Sequence, residues 1–484
     1  MKKILALLLA LLMVLPMAVA CSENIGDGTQ TEDSTLTVDT NDDIGDYDFG
    51  GEQFTILARE ETMYEFYTEE TISGDAVSEA VYKRNYELEQ RFNTELNFIW
   101  KPGSWGHRTE FLTAVRSEYM GGGSESVDLV AGHSALIGCM IAEGIPMDMS
   151  KLPEMDFSKS YWSQNIYNDV NINGKVYMMI GDIGMTLYEY MQVIYLNTTL
   201  YEENFGEEGG IEALYAMIDE GEWTYSKLFE LATKYGNGSE DGTYGFVTNA
   251  HSWRASFYAQ DSNVYLKDND GYYYVPTQMP EKLSHIIDQM VNEFKKPNIH
   301  FELGGWGSEA TTLNPWFISG NVLFYSQILG ESKNLAQNMD KPYTILPLPK
   351  YDEFQEQYKT ICKDDLTAVM VLTCSDNKEM SGVLTQAMCM LSEKHVTPAF
   401  YEKSLKTRFQ FDAHSQEMIE LTRKGLNFTS VESFLGEGSF RIDSFHVPVL
   451  KGLTTAPSIY AGSSAAAQKA LDTFYANVEI SDMQ

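Results

Sequence analysis

An α/β fold with a mostly parallel sheet is the architecture this sequence predicts. Residues 51–131 alternate short apolar runs with amphipathic stretches, a β-α-β-α-β rhythm that right-handed crossovers turn into a parallel sheet. The first run, Gln53–Ala58, is nearly all apolar, as a strand covered on both faces must be. The chain has 484 residues, 43% of them hydrophobic, enough for two or three cores.

The elements follow in order. Gln53–Ala58 is the first strand, and Ser78–Phe92 a helix with Val81, Tyr82, Leu88 and Phe92 inward and Lys83, Arg84, Glu87 and Glu89 outward. Thr94–Trp100 is the second strand. Arg108–Tyr119 is a helix closed by Gly121-Gly122-Gly123. Val127–Ala131 is the third strand, leading into Gly132-His133-Ser134. Val170–Ile180 reads as a hairpin about Asn173-Gly174, and Gln192–Asn197 as an apolar strand. Ile211–Ile218 and Tyr225–Tyr235 are helical, the second capped by Thr224. Asp268–Gly271 is a turn between strands, without the spacing of a calcium loop. Glu281–Phe294 is an amphipathic helix, Asn321–Ser326 a buried strand and Lys341–Lys350 an extended, proline-held segment. Leu366–Thr373 is a strand; Met380–Ser392, Ser415–Lys424 and Ala465–Val478 are the last helices.

The N-terminus carries an address. Met1-Lys2-Lys3, an apolar run from Ile4 to Val14 and the small residues before Cys21 make a secretory signal over residues 1–20. Ala18-Val19-Ala20-Cys21 resembles the lipobox of bacterial lipoproteins, although Leu is usual where Ala18 stands. That resemblance implies a lipid on Cys21, which would tether the protein to a membrane. Residues 21–50 are acidic, and no Lys or Arg occurs between Lys3 and Arg59, so this segment reads as a flexible linker. No later stretch offers the ~18 consecutive apolar residues of a spanning helix.

The formal charge is −36, which repels nucleic acid and anionic lipid and favours neutral or cationic partners. Cys139, Cys362, Cys374 and Cys389 form no CxxC pair and are expected as buried free thiols. No two of the eight His lie within four residues, so helical metal pairs are absent, and no metal or cofactor is expected. Catalysis finds little support. After the third strand, Leu136 stands where a nucleophile elbow at Ser134 would need a second Gly. Neighbouring pairs such as Asp364-Asp365 point apart, unlike the opposed carboxylates of a glycosidase. No phosphate-binding Gly-Lys-Thr loop occurs. Aromatics are abundant, and Trp105, Trp162, Trp253, Trp306 and Trp316 sit in polar or Gly-rich surroundings. Rings of this kind stack on the C–H faces of sugars.

Several stretches together resemble the carbohydrate-type extracellular solute-binding lipoproteins of ABC importers. They are Ala76–Asn85 leading to Glu89–Asn93, Gly174–Tyr177 with Gly181-Asp182 and Tyr195–Asn197, and Gly221–Thr224. Phe317–Phe324 with Leu346–Gln355, and Pro398–Glu402 through Phe411–Met418, complete the order. The resemblance implies a two-lobed periplasmic-binding-protein type II fold with ligand in the cleft at the hinge. Lobe 1 would take residues 51–192 and 366–410, and lobe 2 residues 193–365 and 411–484. It implies a monomeric, lipid-anchored receptor outside the cytoplasm, which delivers a sugar or oligosaccharide to permease subunits and catalyses nothing. A peptide or other solute on the same scaffold is the first alternative, and a surface carbohydrate-active hydrolase the second.

By location in such a fold, the cleft loops carry Arg59 and Glu60 after the first strand, and His133 and Ser134 after the third. Tyr188 and Glu189 precede the crossing strand, Trp253 opens the second lobe, and Gln327 follows the strand Asn321–Ser326. Trp306 lies in a Gly-rich loop, and Asp365 near the return crossing. Trp253 and Tyr188 are expected as stacking platforms. Arg59, Glu60, His133 and Gln327 are expected to bind hydroxyls.

Overall fold

The computed structural model describes residues 42–68, 75–123, 127–303, 309–406 and 413–482. The signal, Cys21 and Trp306 lie outside the described residues.

Two sheets organise the chain. Strand β1 (Glu52–Arg59) lies parallel between β2 (Thr94–Lys101) and β3 (Leu129–His133), with Ile56 opposite both Phe98 and Leu129. The second sheet takes β4 (Gln192–Asn197), β5 (Tyr244–Asn249), β6 (Ile299–Glu302), β7 (Val322–Ile328) and β8 (Tyr343–Leu346), in the order β8-β4-β7-β5-β6. There, β7, β5 and β6 run parallel, while β8 and β4 pair antiparallel. The first sheet is completed by β10 (Thr367–Met370), antiparallel to β3.

Between the sheets the chain passes along a narrow ribbon. The outgoing segment at Met191 faces the returning segment at Cys362 in an antiparallel bridge. Lys363 N–H donates to the Tyr190 carbonyl at 2.9 Å, and Thr360 Oγ1 to the Gln192 carbonyl at 2.7 Å. The returning strand β9 (Thr360–Ile361) also pairs in parallel with β11 (Leu426–Asn427), a third passage.

Helix α1 (Ala76–Phe92) starts where the Asp75 carboxylate accepts from Val77 N–H. It ends at Asn93, whose positive φ of 47° forms the left-handed cap. Two of its residues differ from the sequence expectation. Arg84 and Glu87 are buried, not outward. A second layer covers that side, because Lys378–Leu391 and the turn after it pack on α1. Arg84 there donates to the Phe66 carbonyl and Ser392 Oγ, each at 3.2 Å. Glu87 takes Lys394 at 2.8 Å and His395 at 2.7 Å.

The hairpin expected at Val170–Ile180 is another correction. Residues Gln164–Val170 are helical, and the Asn173-Gly174 turn closes only a single bridge, Ile172 to Lys175. Both turn residues have positive φ, 49° and 84°, so the turn chemistry is that of a hairpin without its ladder. Met179 pairs instead with Val369 of β10.

Helices α2 (Arg108–Met120), α3 (Ser134–Cys139) and α4 (Ala250–Ala259) follow β2, β3 and β5. Helix α5 (Ser430–Leu435) crosses α3, and α6 (Ala456–Asp482) runs behind both sheets. Tyr460, Ala467 and Leu471 of α6 join the core on one face of the second sheet, while Phe474 and Val478 join the larger core that spans the first sheet and the other face of the second. Cys139, Cys362, Cys374 and Cys389 are free thiols, two buried and two half-buried. Among the described residues no helix is long and apolar enough to cross a membrane.

The α3–α5 crossing depends on Gly138. A Cβ there would stand 2.7 Å from the Ser433 carbonyl carbon, which is backbone and cannot rotate away. Gly138→Ala should therefore lower stability by about 1–3 kcal/mol, read as a lower midpoint in thermal or urea unfolding.

Candidate functional site

The largest opening beside the ribbon is a cavity of about 760 Å³, within the range of ligand pockets. The carboxyl ends of β1 and β3 deliver Arg59 and His133 to it, as the switch-point rule for open sheets requires. The turn after β1 adds Glu61 and Thr62, and the loop after β2 adds Ser104, Trp105 and Gly106. From the opposite side come His251 at the start of α4, the crossing residues Lys363, Asp364 and Asp365, and Glu432, Glu437, Arg441 and Asp443.

The first wall is held by short polar contacts. Arg59 Nε donates to Thr62 Oγ1 at 3.1 Å, and its Nη2 to Thr367 Oγ1 at 3.3 Å and to the Asp365 carbonyl. The Glu61 carboxylate accepts from Gly103 and Ser104 N–H, each at 2.9 Å, and so fixes the loop bearing Trp105. Gly103 is required there, since a Cβ would meet that of Arg59 at 2.6 Å. Trp105 is 43% exposed, with the His133 ring 5.8 Å away and the Arg108 guanidinium 5.0 Å over its face.

His133 Nδ1 accepts from Ala135 N–H at 3.2 Å, capping α3 and leaving Nε2 as the donor. Burial first, then the Arg59 charge, pushes its pKa down to about 4, so the ring is neutral at pH 7.

The floor is a cluster of ion pairs. Asp364 meets Arg441 at 3.0 Å and Arg254 at 3.3 Å. Glu432 pairs with Arg254, lies 3.7 Å from Arg441, and accepts from Tyr258 Oη at 2.7 Å. Burial alone would push the Asp364 carboxyl up, but Arg254 and Arg441 outweigh it and hold the group well below the usual range. Asp365 points the other way, to Lys363 Nζ at 3.3 Å. Its second oxygen is buried and finds no hydrogen-bond partner among the described residues.

Of the residues expected from sequence, Arg59, His133 and Asp365 meet in this cavity. Ser134 lies just behind it, its Oγ donating to the Asp364 carbonyl at 2.7 Å. Glu60 is exposed on the turn and lines no part of the cavity. Glu189 accepts from Tyr64 Oη near the mouth. The other three are corrections. Trp253 sits inside α4, 2% exposed, packed edge-on to Phe294 at 4.9 Å and Tyr225 at 5.3 Å. Its polar neighbours in sequence lie on other faces of the helix, so the ring serves the core. Tyr188 is buried against Phe400 and Tyr401 with its hydroxyl on Asp182. Gln327 turns back into the second sheet, donating to Tyr325 Oη at 2.9 Å.

Sequence reasoning left Trp105, Glu61, Tyr190, His251, Lys363, Asp364 and Arg441 out of the site. Trp105 carried a signal, since it lies between Ser104 and Gly106. Arg441 and His251 carried none, because only long-range folding brings them to the crossing segment.

A cleft between two α/β halves joined by a ribbon, with polar groups and one exposed ring converging on it, defines a two-lobed binding protein of the periplasmic type II architecture. The family model for bacterial extracellular solute-binding proteins matches residues 109–394, and the chain belongs to that family. It is thus an extracytoplasmic binding protein. Solved structures with the same fold include a cyclo/maltodextrin-binding protein complexed with maltotetraose. That protein is 15% identical, with a TM-score of 0.54 over 88% of this chain and 96% of the other. The galacto-N-biose/lacto-N-biose I-binding protein of an ABC transporter from Bifidobacterium longum is 13% identical, with a TM-score of 0.55 over 88% and 98%. The acarbose-binding GacH receptor of Streptomyces glaucescens is 13% identical, with a TM-score of 0.51 over 87% and 99%. No curated protein sequence matches the chain.

Two outcomes follow from these placements. Trp253→Ala should cost about 3–5 kcal/mol of stability, as large core truncations do, while ligand affinity of the folded fraction stays unchanged. Calorimetric unfolding beside a binding titration checks both. The second concerns His446, which is fully buried beside Asp443 and stacks on Phe257 at 5.3 Å. Burial pushes its pKa down to about 4, so the folded state resists a proton that the unfolded chain accepts near 6.5. The parent's stability from this ring is complete above pH 6.5 and is lost as pH falls towards 4. His446→Phe removes that loss, so parent minus variant should shrink by about 3 kcal/mol between pH 6.5 and 4 in urea unfolding.

Proposed function

We propose that this protein captures a neutral sugar or oligosaccharide outside the cytoplasm and delivers it to the permease subunits of an ABC importer. The carrying observation is the exposed face of Trp105 beside polar groups that line the same cavity: the His133 ring, the Arg59 guanidinium and the partly exposed Asp365 carboxylate. A pyranose has an apolar C–H face and a rim of hydroxyls, and this wall offers a counterpart to each. The structural relatives named above were solved with maltotetraose, lacto-N-biose and acarbose, which supports the same ligand class.

Carboxylates outnumber cations around the cavity, with Glu61, Asp364, Asp365, Glu432, Glu437 and Asp443 against Arg59, Lys363 and Arg441. This lining disfavours uronic acids and sugar phosphates. It tolerates amine-bearing solutes, which makes short cationic peptides the second reading.

In this reading the lobes divide at the ribbon, residues 51–192 with 366–410 against 193–365 with 411–484. The protein acts as a monomer, carries diacylglycerol on Cys21 and catalyses nothing. The acidic linker expected over residues 21–50 is shorter than that, because Ile44 and Phe49 are buried and Asp42 pairs with Arg91 of α1; the segment before Asp42 lets the binding body reach the permease while staying on the membrane.

Thermal unfolding of residues 22–484 against neutral, acidic and amino sugars, with short peptides as controls, tests the reading. A ligand bound only by the folded state raises the midpoint with its saturation. The expected result is a saturable shift with one neutral sugar class, without turnover, at micromolar affinity, about −8 kcal/mol. Trp105→Ala should weaken that affinity by about fivefold, or about 1 kcal/mol, and leave the midpoint of the free protein in place. A shift with peptides alone, or consumption of the sugar, overturns the proposal.

A further inference from the structure

We infer that the ligand is a glycan chain longer than the cavity, and that its outer units lie on an aromatic shelf at the cavity mouth. This rests on the sugar reading above. The shelf grows out of the cavity wall itself. In the 3₁₀ turn Glu60–Glu65, Glu61 and Thr62 line the cavity, while the next two residues, Met63 and Tyr64, are exposed. Tyr64 is 42% exposed, and its hydroxyl donates to the carboxylate of Glu189, the residue before cavity-lining Tyr190. The ring is thereby tied to the wall at both ends of its environment.

One turn on, Tyr67 is equally exposed, and its N–H donates to the Met63 carbonyl at 2.9 Å. Its ring lies 5.9 Å from Phe98, which stacks on Trp100 at 5.1 Å. Phe98 and Trp100 are half-buried on β2, the edge strand of the first sheet. Met63, Tyr64 and Tyr67 are thus exposed on the segment that runs out from the cavity-lining residues Glu61 and Thr62.

Exposed apolar groups gathered on one turn mark an interaction surface, and descent from the cavity wall with the Tyr64 bond to Glu189 names this one. Rings already locked by hydrogen bonds and stacking lose little freedom when a ligand docks. The chemistry suits successive pyranose faces. A uniformly apolar partner would not need the Tyr64 and Tyr67 hydroxyls at the surface, and a lone monosaccharide in the cavity would not reach them.

Isothermal titration with maltose, maltotetraose and maltohexaose, and with cellobiose, cellotetraose and cellohexaose, tests the inference on the parent, Tyr64→Ala, Tyr64→Phe and Trp105→Ala. In the series that binds, the hexasaccharide should bind about threefold to tenfold tighter than the disaccharide. Tyr64→Ala should erase that gain and leave disaccharide affinity unchanged. Tyr64→Phe, which keeps the ring and loses only the bond to Glu189, should retain most of it. Trp105→Ala should weaken short and long chains alike. Affinity independent of length, or hexasaccharide binding untouched by Tyr64→Ala, overturns the shelf and leaves the sugar reading standing; the second result would assign the shelf to a protein partner. Failure of every mono- and oligosaccharide to bind overturns both.

Discussion

The ribbon joining the two sheets is the constraint on which the rest of this molecule depends. Three passages of chain, at Tyr190–Gln192, Thr360–Lys363 and Leu426–Asn427, lie edge to edge and are bonded mainly through backbone groups. One apolar core spans the first sheet and a face of the second, where Val193, Tyr195, Val247 and Tyr325 join it, and a second core covers the other face of the second sheet. Because the crossing chains form only this narrow ribbon, a rotation of one half against the other concentrates its φ/ψ change in a few residues, as hinge motion requires. The same ribbon sets the cavity's depth. Lys363, Asp364 and Asp365 continue directly from it and form the cavity's inner end.

The ion cluster at that inner end has a positioning role. Arg254 belongs to a helix of the second sheet, Asp364 to the crossing segment, and Glu432 and Arg441 to the C-terminal region. Burying these charges costs desolvation that their attraction only about repays, so the cluster contributes little net stability. It does fix the relative placement of three distant segments, because removing any one member leaves a buried charge unpaired. Its carboxylates take their hydrogen bonds from Arg254, Arg441 and Tyr258, while Arg254 Nε is buried without a partner among the described residues. Outside the cluster, Arg59, His133 and Asp365 also line the cavity. A preorganised set of this kind binds without first paying to order its donors.

How much of this was legible in the sequence depends on range. Strands β1 to β4 were readable because each is an apolar run in a local alternation, and β4 needed no adjustment. The donors at strand ends, Arg59 and His133, followed from the rule that loops after parallel strands face the cleft. Arg84 and Glu87 were misplaced because charge predicts exposure only when no partner exists; theirs lie about 300 residues away, at Ser392, Lys394 and His395. Trp253 was misplaced for the converse reason. Polar neighbours suggested a loop, but α4 is buried on nearly every side, and Ser252, Arg254 and Ser256 are buried with it. Trp105 carried the local signature sought in Trp253, yet only the fold shows that Glu61 and Gly103 hold it over the cavity.

Helix α6 determines what a ligand must do to move the halves. It is one continuous helix whose two ends are buried in different cores, so it ties the rear of the molecule together and opposes any motion that would separate the halves there. The free direction is at the front, where Trp105, Arg59 and His133 stand on one side and His251 and Arg441 on the other. A ligand shifts a conformational equilibrium only by its difference in affinity for the two states. A solute that touched the Trp105 wall alone would bind open and closed forms equally and shift nothing, however tightly it stacked. Closure therefore requires a ligand whose hydroxyls meet both sides at once, and the ion cluster holds Arg441's side at a fixed distance from the crossing segment. Stacking supplies affinity, while the groups across the cleft convert that affinity into a change of shape.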